Sequence, residues 1–296
     1  MARTSLQTAH QPINRFFSQV PSKVYHQREI ERILAENRTT WQIGQTLGVQ
    51  EFIEYLCKNG ELKRWDFPFP YRKETRYTWG SIPLQVVLLT LKPACHFSHH
   101  TAAQVHHLAQ LDSKTIYLNF EQPAKPAPSG YLEQTRIDAA FARRPRVTSN
   151  VARVNDSRVC LINGKCTSYR GVETQELEVA RGQRVKVRVT NLERTLIDIA
   201  VRPFYAGGVA EVLKAYVKAA SRASTIRLAA LLKQLDYLYP YHQAIGFYLE
   251  RSGVFKPDSI ESFRRKFRYE LDFYLTYEMK KPQYDPKWRL FFPKGL

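Results

Sequence analysis

Between Gln27 and Trp79 the chain carries a pattern that few architectures satisfy: short amphipathic segments, a glycine turn, then two strand-like segments rich in lysine and arginine. Ile30, Ile33 and Leu34 recur on one helical face, and turn residues at 37–40 end that helix. Thr39 or Thr40 is placed to cap a short second helix through Trp41, Ile43 and Leu47; Leu47-Gly48-Val49 then turns the chain, and Gln50 to Asn59 forms a third helix ended by Gly60. On the third helix Phe52 and Leu56, with Ile53 or Cys57, face inward. That leaves Gln50, Glu51, Glu54, Tyr55 and Lys58 outward as candidate base readers. Residues 62–67 and 75–79 read as the strands of a β-wing, whose Lys63, Arg64, Arg72, Lys73 and Arg76 are set to meet phosphates. Glu51 and Glu54 repel phosphate, so affinity is expected to depend more on the wing and the N-terminal arm. A winged helix-turn-helix is thus expected over 21–95, closed by a helix from Ile82 to Leu91. It would follow a flexible arm at 1–20 anchored by Arg3, Arg15 and Phe16-Phe17.

The charge balance agrees. Lys plus Arg is 45 against 27 Asp plus Glu, a net charge of +18, which favours a polyanionic partner. At 296 residues the chain is long enough for two domains, and its 44% hydrophobic content suffices for packed cores. No apolar run is long enough to span a bilayer and no secretory signal opens the sequence, so a cytoplasmic protein without a membrane partner is expected. Cys57, Cys95, Cys160 and Cys166 form no Cys-x-x-Cys pair, which fits reduced thiols rather than a metal site. His96, His99, His100, His106 and His107 lack a completing carboxylate or cysteine at ligand spacing and read as packing residues of a helix over 96–108.

The second domain is expected over 96–296, with a strand at 115–120 and a linker-like stretch at 121–132. Two hairpins are expected, at Asn163-Gly164 and at Arg181-Gly182. The first would put Cys166 opposite Leu161; the second turns Val185, Val187 and Val189 to one face and Arg184, Lys186 and Arg188 to the other. With Arg143, Arg144 and Arg146 these cations form a possible second basic face. Thr190 to Glu193 reads as a capping box opening a helix towards Val201, where Asp198 is spaced to pair with Arg194 or Arg202. Further helices are expected after Gly207-Gly208, with Val212, Leu213, Tyr216 and Val217 on one side, and at 225–236, 240–251 and 259–267; strands are expected at 269–277 and 288–292. No hydrolase, P-loop, zinc-protease or dinucleotide motif occurs, so no catalytic residue, metal or cofactor is expected.

Three further stretches succeed the N-terminal module in order: Phe97-Ser98-His99-His100-Thr101-Ala102-Ala103-Gln104-Val105-His106-His107-Leu108; a strand holding Tyr117; and Val189-Thr190-Asn191-Leu192-Glu193-Arg194-Thr195-Leu196-Ile197-Asp198 with Tyr205-Ala206-Gly207-Gly208-Val209. Together they resemble the AbiEi family, the antitoxins of type IV abortive-infection toxin–antitoxin systems. The run Glu193 to Asp198 with Gly207-Gly208 after it is the most specific part, and His107 departs from the glycine that family members often carry. The resemblance implies an α+β chain, an N-terminal winged helix-turn-helix followed by a mixed α/β antitoxin domain. It also implies a phage-defence role: repression of its own promoter DNA and neutralisation of a neighbouring AbiEii-like nucleotidyltransferase toxin. An antitoxin that works by direct toxin contact with only incidental DNA binding is the alternative, and a metal-dependent nuclease using Asp258 and Glu270 a third.

Overall fold

Leu6, Ala9, Ile13 and Phe17 recur every three or four residues and are all buried, so residues 6–19, which include helix α1 (His10–Gln19), are packed and do not form an arm. Its sparse apolar stripe is diluted by polar neighbours; Phe17 stacks on Trp79 at 4.8 Å. The computed structural model describes residues 6–109, 113–126, 131–179 and 182–296, so the expected anchor Arg3 and the Arg181 turn position lie outside the described residues.

After β1 (Val24–Tyr25) comes α2 (Gln27–Asn37), where Glu29 reaches back to the His26 amide at 2.6 Å. The expected short second helix does not form. Gln42 takes a φ of +55°, which a right-handed helix cannot pass through, yet Trp41, Ile43 and Leu47 are buried as their pattern requires. Arg38 braces this segment, donating to the Gly44 and Leu47 carbonyls at 2.5 and 2.7 Å. Then α3 (Val49–Asn59), β2 (Leu62–Phe67) and β3 (Glu74–Trp79) complete a unit of three helices and an antiparallel sheet in the order β1-β3-β2.

The unit is stitched to the rest of the chain by aromatic side chains. Phe67 and Phe69, at the end of the β2–β3 hairpin, pack with Val87 and Leu88 of α4 (Leu84–Leu88) and with the next sheet. The expected helix over 82–91 is thus shorter and serves the second core.

That sheet has six strands, β4 (His96–Phe97), β5 (Thr115–Glu121), β6 (Val151–Val154), β7 (Ser157–Gly164), β8 (Val172–Glu178) and β9 (Arg184–Thr190), in the order β6-β7-β5-β4-β9-β8. The stretch 96–108 is therefore not one helix: His96 and Phe97 pair with Asn119 and Leu118 before α5 (His99–Val105) begins. His107 adopts a φ of +58°, a conformation glycine enters without strain. Period-two alternation sorts the sheet: Val159, Leu161, Val187 and Val189 join the Phe67 core, while Cys160 and Ile162 face Tyr205. The hairpin expected at Asn163-Gly164 is absent, because both residues extend β7 and pair in parallel with Phe120 and Glu121. Gly164 answers a close approach instead of a turn: a Cβ there would lie 2.5 Å from Asn119 Oδ1. The β8–β9 hairpin forms as expected.

The remaining half is largely helical: α6 (Gln134–Phe141), α7 (Leu192–Val201), α8 (Val209–Ala219), α9 (Thr225–Leu235), α10 (Tyr241–Arg251) and α11 (Pro257–Arg264). A small sheet of β10 (Phe273–Tyr274), β11 (Gln283–Asp285) and β12 (Leu290–Phe292) closes it, shorter than the strands expected there. α8 buries Val212, Ala215, Tyr216 and Ala219, leaving Val217 exposed against expectation. Asn191, not Thr190, caps α7 by accepting from the Arg194 amide at 2.8 Å. Glu193 reaches the other way, accepting from the Ser224 amide at 3.0 Å and pairing with Arg227 at 2.8 Å.

Candidate nucleic-acid interface

α3 is held from below by Phe52, Ile53 and Leu56, with Trp41 stacked on Phe52 at 5.9 Å; Cys57 points outward. Its opposite face exposes Gln50, Glu51, Glu54 and Lys58. Glu51 in the first turn and Lys58 in the last both suit the helix dipole, so these charges also support the helix locally. Tyr55 leaves the predicted set in part: it is half-buried, with its hydroxyl 3.3 Å from His10 Nδ1 and the two rings edge to face.

The hairpin presents Lys63, Arg64, Arg72 and Lys73 to solvent. Arg64 pairs with Asp66 at 3.0 Å, an exposed contact worth well under about 1 kcal/mol that a phosphate can displace. Arg72 stands 3.7 Å from Glu74. The hairpin is not a free flap, since Tyr71 meets Ser149 Oγ at 2.6 Å and Phe67 and Phe69 are buried.

Arg76 is a correction to the predicted contact set. At 1% exposure it cannot touch a duplex. Its guanidinium donates to the Thr90 and Leu91 carbonyls at 2.9 and 3.1 Å and pairs with Glu74 at 3.2 Å. Burial disfavours the Glu74 carboxylate, but hydrogen bonds from Lys92 and Arg76 outweigh it and hold its pKa below the ordinary value. Strand alternation does not reveal this, because every residue of β3 from Arg76 to Trp79 is buried.

The possible second basic face divides in two. Arg184 and Lys186 lie directly opposite Glu178 and Glu176 on β8, so that stripe is largely neutralised across the hairpin and makes a weak anion surface. Arg188, opposite Thr174, is half-buried. Arg143, Arg144 and Arg146 are exposed and line a cleft elsewhere, over the Ile162 face of the sheet. Sequence reading missed that cleft's aromatic members, although Tyr237-Leu238-Tyr239-Pro240-Tyr241 is an uncommon concentration of rings.

Among the histidines, His106 Nε2 lies 2.7 Å from the Thr190 carbonyl and His96 Nε2 lies 3.2 Å from the Asn119 amide. Burial lowers the pKa of His99 to about 4. No group of three or more His, Cys, Asp or Glu able to hold a metal occurs among the described residues. Asp258 stands in the first turn of α11 and Glu270 faces Arg268 at 3.9 Å. Arg194 and Asp198 pair at 2.8 Å as spaced. No described helix is long and apolar enough to cross a membrane.

Three helices, an antiparallel hairpin sheet and a mixed six-stranded sheet backed by helices define an α+β protein. No family model matches the chain, nor does any curated protein. Among solved structures it is similar to the crystal structure of the RV2827C protein from Mycobacterium tuberculosis, with a TM-score of 0.58 and 16% identity over 97% of this chain and 91% of that one. At that identity the likeness is one of fold.

Proposed function

We propose that the chain is a DNA-binding transcriptional repressor and antitoxin of the type IV class, with an N-terminal winged helix-turn-helix as its DNA-gripping part. The observation that carries this reading is the uncovered face of α3, which comes after α2 and leads straight into a basic hairpin with strand order β1-β3-β2. In a major groove, Gln50 would read adenine and Glu54 accept from cytosine, while Lys58, Lys63, Arg72 and Lys73 take phosphates. The exposed cations Lys58, Lys63, Arg64, Arg72 and Lys73 would supply the salt-sensitive attraction that such a grip needs.

The antitoxin half of the proposal rests on the motif resemblance. The run Val189 to Asp198 is almost wholly buried and links β9, α7 and α9, so it serves as the frame of that half rather than as its contact surface. Gel-shift titration of the chain's own upstream DNA tests the first part. Lys58→Ala/Lys63→Ala/Lys73→Ala should weaken the complex strongly, and undiminished binding would refute the grip. Co-expression with the adjacent gene product tests the second: relief of a nucleotidyltransferase's toxicity supports it, and co-purification separates direct capture from repression.

A further inference from the structure

Between the β5–β7 side of the six-stranded sheet and the helical half lies a cleft of about 1190 Å³, above the usual range of small-molecule sites. Seven lysines and arginines but two carboxylates line it among the described residues. One of those carboxylates, Asp198, is already committed to Arg194 at 2.8 Å, so the cleft keeps a strong positive field. Arg143, Arg144 and Arg146 come from one exposed stretch after α6; Arg144 pairs with Glu278 at 3.6 Å, and neither of the other two forms an ion pair among the described residues.

The same lining holds tyrosines. Tyr277 stacks one face on Phe141, with centroids 4.4 Å and planes 16° apart, and lines the cleft while half-exposed. Phe204, also in the lining, meets that ring edge-on at 6.4 Å, and a ring backed in this way is a rigid platform for a flat aromatic group entering the cleft. The cleft floor includes Ile162 and Gly164, and two-residue alternation puts Arg158 on that same sheet face, directly opposite Arg153 of β6. Like charges placed opposite each other destabilise a sheet, and both of these arginines are exposed. A polyanion running out of the cleft would relieve that repulsion. Arginines that bind phosphate next to aromatic faces that stack bases are the combination by which proteins hold nucleotides. An acidic peptide would use the arginines and leave the rings idle.

We infer that this cleft binds a nucleoside phosphate, its base stacked on Tyr277 and its phosphates held by Arg143, Arg144 and Arg146. The ligand is either a free nucleoside triphosphate or the end of a single-stranded nucleic acid. The inference stands apart from the α3 interface and does not depend on it.

Fluorescence anisotropy of the full chain tests it with two probes, N-methylanthraniloyl-ATP and a fluorescein-labelled oligoadenylate ribonucleotide. Saturable binding is expected for at least one, weakened roughly tenfold or more by Arg143→Ala/Arg146→Ala and by Tyr277→Leu. Arg184→Ala/Lys186→Ala removes equal charge from the β8–β9 face and should leave binding unchanged. Binding of the mononucleotide identifies a free nucleotide as the source, and binding of the oligonucleotide alone identifies a strand end. Because the Arg143/Arg146 pair is exposed, that variant remains informative if Tyr277→Leu fails to fold. Failure of both probes to bind, or equal binding by wild type and Arg143→Ala/Arg146→Ala, overturns the inference, as does displacement of the probe by a polyglutamate peptide as readily as by ATP.

Discussion

Arg76 and Lys63 lie on paired strands of one basic hairpin, the first buried and the second exposed. Removing the Arg76 guanidinium strands the Thr75, Thr90 and Leu91 carbonyls and takes away one of the three cations around Glu74. Arg76→Ala should therefore cost about 3–5 kcal/mol in denaturant unfolding, the cost of breaking a buried pair. Lys63→Ala should cost within about 0.5 kcal/mol and instead flatten the salt dependence of DNA binding by about one unit. The reverse assignment would contradict the geometry.

His99 makes a second residue-level prediction. Burial is the main cause of its low pKa, and Arg202 and Arg194 push it further down against the opposing pull of Asp198. With a folded pKa of about 4 against an ordinary 6.5, the unfolded chain binds more protons between those values. Stability from the neutral ring is complete above pH 6.5 and falls as pH drops towards 4, by up to about 3 kcal/mol. His99→Asn, which tolerates the local φ of +50°, should flatten that acid limb in a pH series of denaturant melts; an unaltered limb would exclude His99 as a source.

At the scale of elements, α10 depends on a missing side chain. A Cβ on Gly246 would lie 2.0 Å from the Trp288 ring, which is fully buried and fixed by an indole hydrogen bond to Glu250. Gly246→Ala gains up to about 1 kcal/mol of helix propensity but must displace that ring, so a net loss of at least about 1–3 kcal/mol is expected by thermal or chemical unfolding. A stabilised variant would show that the ring can move. Apolar periodicity made α2 and α3 legible in the sequence, because each buries one stripe, whereas α7, buried on nearly every side, was legible from the capping pattern at its start. The missing second helix and the missing Asn163-Gly164 hairpin were not legible. Gln42 takes its left-handed φ between the buried Trp41 and Ile43, and Gly164 is pressed by Asn119 from the neighbouring strand β5, distant only in sequence. The same limit hid Arg76, whose partners Thr90 and Leu91 lie beyond the hairpin. It also hid the cleft, whose rings and arginines converge from widely separated segments.

Over the whole molecule, the hairpin both faces outward and fastens the N-terminal unit to the central sheet through Phe67 and Phe69. Phe67→Ala should cost about 3–5 kcal/mol, and the wild type should unfold in one cooperative calorimetric transition; two well-separated wild-type transitions would show the units to be independent. That fastening ties the hairpin bearing Lys63, Arg72 and Lys73 to the central sheet, so the proposed grip on DNA would rest on a packed frame. The most direct test of that grip is the slope of log binding constant against log salt concentration on the chain's own upstream duplex. The account predicts a steep negative slope, shallower by about 0.9 for each phosphate left unneutralised in Lys58→Ala/Lys63→Ala/Lys73→Ala and unaltered in folded Arg184→Ala/Lys186→Ala. A wild-type slope near zero, or one that the triple variant leaves unchanged, would contradict it.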